Sequence, residues 1–352
     1  MADTWYEDLG FSANPLDLRP NPTLVGLEQE EQQLVNHILK EEICFLNGMT
    51  GAGKTSLLMR VQQRLKDHTF IYLDAQDLPK SFNLEEEIKG QRNFFDRITF
   101  KDYPSKTPVL IIDEFQATDP NLVLEARGKW ENAQNRRIKS IIIAQISKQL
   151  YNVTPAFRER LGSRIVSLRT LDDDEMKQIL RLRLMHPAKQ MSFYSKLSSD
   201  AVSLLIAAAD GNPRRLLEYT DYIFDFHFHK FKQSNPMHVS DYTLTYWGAK
   251  EILDLHEINT AVYEPEHEKK RKRASESFEE RYDKAQQNVL KYLMTGPKTL
   301  EEIQSWFGYS KSKAKQLVSF LREDGSIVPA GKKDKKKLFQ IAPHVKRMTV
   351  HV

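Results

Sequence analysis

The sequence predicts an α/β protein: a parallel sheet covered by helices, then a run of helices, then a small basic module. Three observations carry this reading. Short apolar runs at residues 43–46, 69–73, 109–112 and 140–146 alternate with stretches of helical period. A glycine-rich segment at residues 48–53 joins the first run to a helix. Beyond Thr170 the apolar runs stop, and helical period continues to about residue 257.

In chain order, residues 27–40 have the stripe of an amphipathic helix, and residues 43–46 form a buried strand. Residues 56–66 continue from the glycine-rich segment as a helix, and residues 69–73 form a second strand. Helical stretches at 84–100, 120–134 and 154–161 separate the remaining strands. Strand–helix alternation of this kind implies a parallel sheet with both faces covered. Helices follow at 173–184, 199–209 and from Arg214 to about residue 232, with one or two more at 239–257. Residues 263–283 are nearly devoid of apolar side chains and read as a linker or a solvated helix. Their basic run at 269–273 could touch nucleic acid, although such runs more often are simply solvated. The expected domains are 1–170, 171–258, a linker at 259–284, and 285–348.

The chain has 352 residues, 40% hydrophobic and 28% charged, which fits a multi-domain globular protein and excludes wholesale disorder. Its apolar runs are far shorter than the roughly 18 residues needed to cross a bilayer, so no membrane association is expected. The acidic opening MADTWYEDLG lacks the apolar core of a secretory signal. Cys44 is the only cysteine, which excludes an internal disulfide or a multi-thiolate zinc site and suggests a reducing, cytoplasmic setting. The net charge is +4, but residues 311–347 hold 11 basic and 3 acidic side chains, so the tail is the basic part.

Gly48-Met49-Thr50-Gly51-Ala52-Gly53-Lys54-Thr55 fits G-x-x-x-x-G-K-[ST], between a strand and a helix that continues from Ser56. Glycines let such a loop wrap phosphates with its backbone N–H groups, and the helix N-terminus adds positive potential. Lys54 would reach the β and γ phosphates and Thr55 would offer its hydroxyl to Mg²⁺. Val109-Leu110-Ile111-Ile112 projects Asp113 and Glu114 from a strand end, the edge where ligands sit in open α/β sheets. Asp113 would serve the Mg²⁺ shell and Glu114 would polarise an attacking water. The strand at 140–146 ends in polar groups, of which Gln145 can sit between the metal and the γ-phosphate. Arg158 and Arg160 lie two apart on the next helix and cannot share one face, so at most one can reach a neighbouring subunit's nucleotide. Gly211-Asn212-Pro213 ends one helix and opens another, which places Arg214 in a first turn. A cation is unfavourable there unless something such as a phosphate compensates it.

Taken together, these elements resemble the AAA+ ATPase superfamily over roughly residues 5–235. Residues Gly48 to Thr55 and Gly211 to Arg214, with a C-terminal winged helix, are similar to the origin-recognition initiator branch, which includes the archaeal replication initiators. Leu9-Gly10-Phe11, Asn14-Pro15, Asp113-Glu114-Phe115-Gln116, Ala144-Gln145 and residues 210–216 are similar to the secretion- and transposition-helper branch. Val25-Gly26-Leu27-Glu28 departs from the arginine-led box of initiators, and neither their DNA-contacting insertion nor the membrane span of the secretion proteins is evident. The resemblance implies ATP and Mg²⁺ as cofactors, and self-association or a partner AAA+ or helicase protein.

In the basic module, Thr299-Leu300-Glu301-Glu302 has capping-box spacing. A helix at 300–306, a Phe307-Gly308-Tyr309 turn and a second helix at 311–323 capped by Ser310 make a helix-turn-helix signal. Strands at 326–328 and 338–341 around a lysine-rich tip complete a winged helix. Lys311, Ser312, Lys313 and Lys315 would face a major groove. Lys332, Lys333, Lys335, Lys336 and Lys337 would follow the backbone of double-stranded DNA. Such lysines are point charges with little sequence information. Protein interaction is the rival use of such a module. The expected function is a DNA-associated, replication-initiator-like ATPase. A helper-type ATPase that coats DNA non-specifically, or a nucleotide-gated switch with little turnover, are the alternatives. His227 and His229 read as packing residues.

Overall fold

The computed structural model describes residues 2–345 apart from 80, 133, 148, 151–152, 188–191, 232–234, 270–280, 334–335 and 344. The chain divides into two compact units, Met1–Tyr263 and Glu264–Val352.

The first unit opens with a one-turn helix α1 (Trp5–Asp8) and an extended segment that leads into α2 (Glu28–Leu39). Then come β1 (Ile43–Asn47), α3 (Lys54–Arg64), β2 (Phe70–Asp74), α4 (Leu84–Gly90), α5 (Phe94–Ile98) and β3 (Val109–Asp113). The rest of the sheet region is α6 (Pro120–Glu131), β4 (Ser140–Gln145), α7 (Pro155–Leu161) and β5 (Ile165–Ser167). The five strands are all parallel, in the order β2-β3-β4-β1-β5. β1 pairs with β4 from Ile43 opposite Ile141 to Asn47 opposite Gln145, and β2 pairs with β3 as far as Asp74 opposite Asp113.

Period-two alternation sorts the buried strand residues into two layers. Cys44, Leu46, Val109, Ile111, Ile142 and Ala144 face one core with α2 and α3. Ile43, Phe45, Leu110, Ile112, Ile141 and Ile143 face the other, against α4, α6 and α7. Every residue of β1, β3 and β4 is buried, which is why these strands read as unbroken apolar runs. Burial of each large apolar side chain among them contributes about 2 kcal/mol.

Two details differ from the sequence reading. The stretch 84–100 is two helices, because Asn93 leaves the helical path and caps α5 through a reciprocal box with Asp96. Phe94, Phe95, Ile98 and Phe100 are exposed there, so no apolar stripe runs along the segment. β5 went unread because only Val166 of its three residues is buried.

A helical lid follows: α8 (Asp173–Arg183), α9 (Ser199–Ala209), α10 (Pro213–Phe231) and α11 (Tyr246–Leu255). Its core is continuous with the α2–α3 side of the sheet, so lid and sheet share apolar packing. The amino-terminal segment straps onto this lid. Trp5 stacks on Phe224 at 4.9 Å between ring centroids. Its indole N–H and the Asn14 amide both donate to Asp221 Oδ1, at 2.9 and 3.1 Å. His227 is buried in the lid, where it donates from Nδ1 to the Ile223 carbonyl and accepts at Nε2 from the Tyr242 hydroxyl, both at 2.7 Å. Burial lowers its pKa, which suits a neutral packing residue. His229 is exposed beside Asp225.

The second unit contains α12 (Lys284–Met294), β6 (Lys298–Thr299), α13 (Leu300–Phe307), α14 (Lys311–Glu323), β7 (Ile327–Lys333) and β8 (Lys336–Ile341). Its strands form an antiparallel sheet in the order β6-β8-β7. The Thr299–Glu302 capping box and the Ser310 cap are both present. Ala314, Leu317, Val318 and Leu321 form the buried stripe of α14. β6 is only two residues long and gave no signal in the sequence. Among the described residues, no helix is long and apolar enough to cross a membrane.

Candidate nucleotide site and lysine surface

β1 ends at Asn47, and the chain then makes the glycine-rich turn before α3. Gly51 has φ +80°, and an added Cβ would stand 2.6 Å from Asn212 Oδ1 and 2.8 Å from Arg214 Cβ. Glycine is thus required both for the turn and for the close approach of the lid. The lid is tied there directly: the Asn212 side-chain amide donates to the Thr50 carbonyl at 2.8 Å. Its Oδ1 accepts from the Arg214 N–H at 3.0 Å, so one residue caps α10 and holds the loop.

Lys54 is buried and donates to the carbonyls of Gly48 and Met49 at 2.8 and 3.2 Å. Burial lowers its pKa, Glu114 and Asp113 oppose that shift, and Arg214 reinforces it. A polyanion in the cleft would favour the charged form. Thr55 Oγ1 donates to Asp113 Oδ2 at 2.8 Å, which brings the loop and the β3 end together. The Tyr72 hydroxyl donates to the same oxygen at 2.7 Å, and the Glu114 N–H donates to Oδ1 at 2.9 Å. The carboxylate of Asp113 is therefore held by three donors, and it is almost wholly buried. Burial and the bond to Asp113 push the Tyr72 phenol above its usual range. Glu114 adopts a left-handed backbone at φ 49° and accepts from the Gln116 amide.

A hydroxyl and a carboxylate at this separation are hard oxygen donors of the kind Mg²⁺ takes alongside phosphate oxygens. The cleft beside Thr55 is lined by Thr50, Gly51, Ala52, Gly53, Lys54, Thr55, Ser56, Glu114 and, from the lid, Arg183, Arg214 and Leu217. Most of residues 17–27 of the amino-terminal segment, with Leu171, Ile179 and Pro213, complete the wall, and the Asn21 N–H donates to Ser56 Oγ at 3.1 Å.

Three candidate residues lie apart from this cleft. Gln145 is buried, and its amide donates to the carbonyls of Ser147 and Gln149 at 2.8 and 2.7 Å, so it ties down the loop after β4. Arg158 donates to the Leu150 carbonyl in a separate hollow with Phe45 and Ile165. Arg160 pairs with Glu131 at 2.7 Å on the surface. Asn212, Tyr72, Arg183 and the 17–27 segment escaped the sequence reading. Only the Gly-Asn-Pro spelling before α10 hinted at any of them.

In the second unit, Lys311, Ser312, Lys313 and Lys315 are exposed on the first turns of α14. Lys332 and Lys337 are exposed on the hairpin, whereas Lys333 and Lys336 pair with Glu302 and Glu301 at 3.3 and 3.8 Å. Lys335 and most of the 269–273 run lie outside the described residues.

A parallel sheet in this order, with a glycine-rich strand-to-helix loop, an acidic neighbouring strand end and a helical lid over the cleft, has the α/β P-loop AAA+ fold. Residues 40–167 match the family model described as an AAA domain. The chain is similar to a single-substitution variant of Thermotoga maritima RuvB, at 14% identity and a TM-score of 0.50, covering 94% of this chain and 97% of that one. It is also similar to the Aeropyrum pernix Orc1 protein solved in complex with DNA, at 16% identity and a TM-score of 0.47, covering 98% and 96%. No curated protein matches the chain. At these identities the likeness is one of fold.

Proposed function

We propose that this protein is a DNA-associated AAA+ ATPase that binds and hydrolyses Mg-ATP and couples the nucleotide state to its grip on DNA or to loading of a partner, in the manner of a replication initiator. The observation that carries the reading is the 2.8 Å bond between Thr55 and Asp113 beneath a loop whose lysine is buried. The backbone from Gly48 to Ser56 cradles the phosphates, and Lys54 leaves the Gly48 and Met49 carbonyls for the β and γ oxygens. Thr55 and Asp113 would hold Mg²⁺, which would supply neutralisation of phosphate charge. Glu114 orients the attacking water, and Arg214 brings a lid cation to the phosphates. Neither Arg158 nor Arg160 lines its own cleft, which suits action in a neighbouring subunit's site after self-association or docking of a partner AAA+ protein. Gln145 would have to release the Ser147 and Gln149 carbonyls to sense the γ-phosphate.

In this reading, residues 1–170 and 171–258 are the nucleotide-binding domain and its lid. Residues 259–284 are a linker, and 285–348 are a winged-helix domain that binds duplex through Lys311, Ser312, Lys313, Lys315 and the hairpin lysines. Contacts made by lysines alone give strong salt dependence and modest sequence discrimination. That favours one second reading, a helper-type ATPase that coats DNA non-specifically; ATP-dependent filaments in place of a defined footprint would select it.

Steady-state ATPase with and without duplex tests the proposal. Lys54→Ala is expected to lose nucleotide binding, and Glu114→Gln to bind ATP without turnover. Full turnover by Glu114→Gln would overturn the hydrolytic assignment.

A further inference from the structure

A row of four aromatic rings crosses the surface of the second unit. Trp306 stacks on Tyr292, with centroids 4.8 Å apart and planes at 14°. Phe307 meets Tyr292 edge-on at 5.6 Å and stacks on Tyr309 at 5.3 Å. Lys298 Nζ stands 4.9 Å from the Tyr292 ring and Lys313 Nζ 4.8 Å from the Tyr309 ring. The other three rings are half-buried, whereas Trp306 is 68% exposed.

The unit's own core does not explain an indole at that position. The buried residue of α13 is Ile303, and Trp306 adds only one face to Tyr292. The indole presents a large flat face to water, on which a second flat ring can stack. The surroundings select the occupant. The row starts at Tyr309 under Lys313, on the first turn of α14. One helical turn before Trp306, Glu302 pairs with Lys333 of the hairpin. Two ammonium groups, Lys298 at Tyr292 and Lys313 at Tyr309, thus stand over rings of the row, and a positively charged aromatic surface of this kind suits a nucleic-acid strand.

We propose that Trp306 is a stacking platform for an unpaired nucleobase, so that the preferred ligand is duplex DNA with a single-stranded extension rather than blunt duplex. This rests on the DNA-binding reading of the second unit. Stacking of one base on an exposed aromatic ring changes affinity by roughly ten- to a hundredfold.

The test uses the full chain and fluorescein-labelled DNA of one duplex length, blunt or with a short single-stranded extension, followed by anisotropy at fixed salt. The extended duplex is expected to bind about tenfold tighter, at the low end of the stacking range. Trp306→Ala should abolish that difference and leave blunt-duplex affinity unchanged, while Trp306→Phe should keep part of it. Equal binding of blunt and extended DNA by the unaltered protein overturns the proposal. A preference that survives in Trp306→Ala also overturns it. Binding of neither DNA would instead sink the DNA-binding reading itself, so the two failures are distinguishable.

Discussion

The Asn212 side chain bridges the lid and the nucleotide loop: its amide donates to the Thr50 carbonyl at 2.8 Å while its Oδ1 caps the helix that begins at Pro213. The lid can therefore report on the loop through a single residue. Asn212→Ala removes the cap and the bridge together, at an expected cost of about 1–2 kcal/mol in stability. Nucleotide affinity should fall with it. Arg214→Ala should weaken nucleotide binding with little change in melting temperature, because that side chain caps nothing. Thermal melts paired with fluorescent-nucleotide titration separate the two; equal loss of stability in both variants would refute the bridge.

Tyr72 and Thr55 converge on one oxygen of Asp113, at 2.7 and 2.8 Å. If Asp113 holds the metal, Tyr72 orients it from behind, and such outer partners typically matter tenfold or more for metal affinity. Tyr72→Phe is expected to raise the Mg²⁺ concentration for half-maximal ATPase about tenfold while leaving the rate at saturating Mg²⁺ nearly unchanged. An unaltered Mg²⁺ dependence would mean that the tyrosine serves only the metal-free site.

Cys44 lies in the fully buried β1 strand, and burial, with a smaller push from Glu42, raises its thiol to about 12. Only the thiolate reacts with alkylating reagents, so the folded protein should resist them. Alkylation followed by mass spectrometry should give no adduct under native conditions and one adduct in denaturant. Rapid native labelling would show that the sheet opens at β1.

Glu85 on α4 is held by Lys129 and Tyr103, and these contacts lower its carboxyl to about 2, from an ordinary 4.5. A depressed carboxylate stabilises the fold above its unfolded pKa, and that contribution is lost as pH falls from about 4.5 towards 2. The pair is partly exposed, so the effect is about 1 kcal/mol. Glu85→Gln should be less stable than the parent at neutral pH and converge with it near the acid end, as read by urea melts across the range. A constant gap at all pH values would rule the ion pair out as the cause.

Whether an element could be read in advance depended on how local its signal was. β1, β3 and β4 are buried on both faces, so their apolar runs are unbroken in the sequence. The caps at Thr299 and Ser310 are satisfied within three residues and show in the spelling. β5 and β6 exist only because a neighbouring strand accepts them, and three or two residues carry no period to detect. The break at Asn93 was hidden because the apolar residues after it face water.

The chain's spelling alone determined the glycine-rich loop, the acidic strand end and the order of the first four strands, since each shows in residues close in sequence. Tertiary structure decided which of these meet. It placed Tyr72 and Thr55 on Asp113 and Asn212 on the loop, turned Gln145 toward its own loop carbonyls, and stacked Trp306 outward on Tyr292. Most of these contacts join positions far apart in the chain, where only the packing of the sheet, the lid and the small basic unit sets the distance. No periodicity along a sequence encodes that.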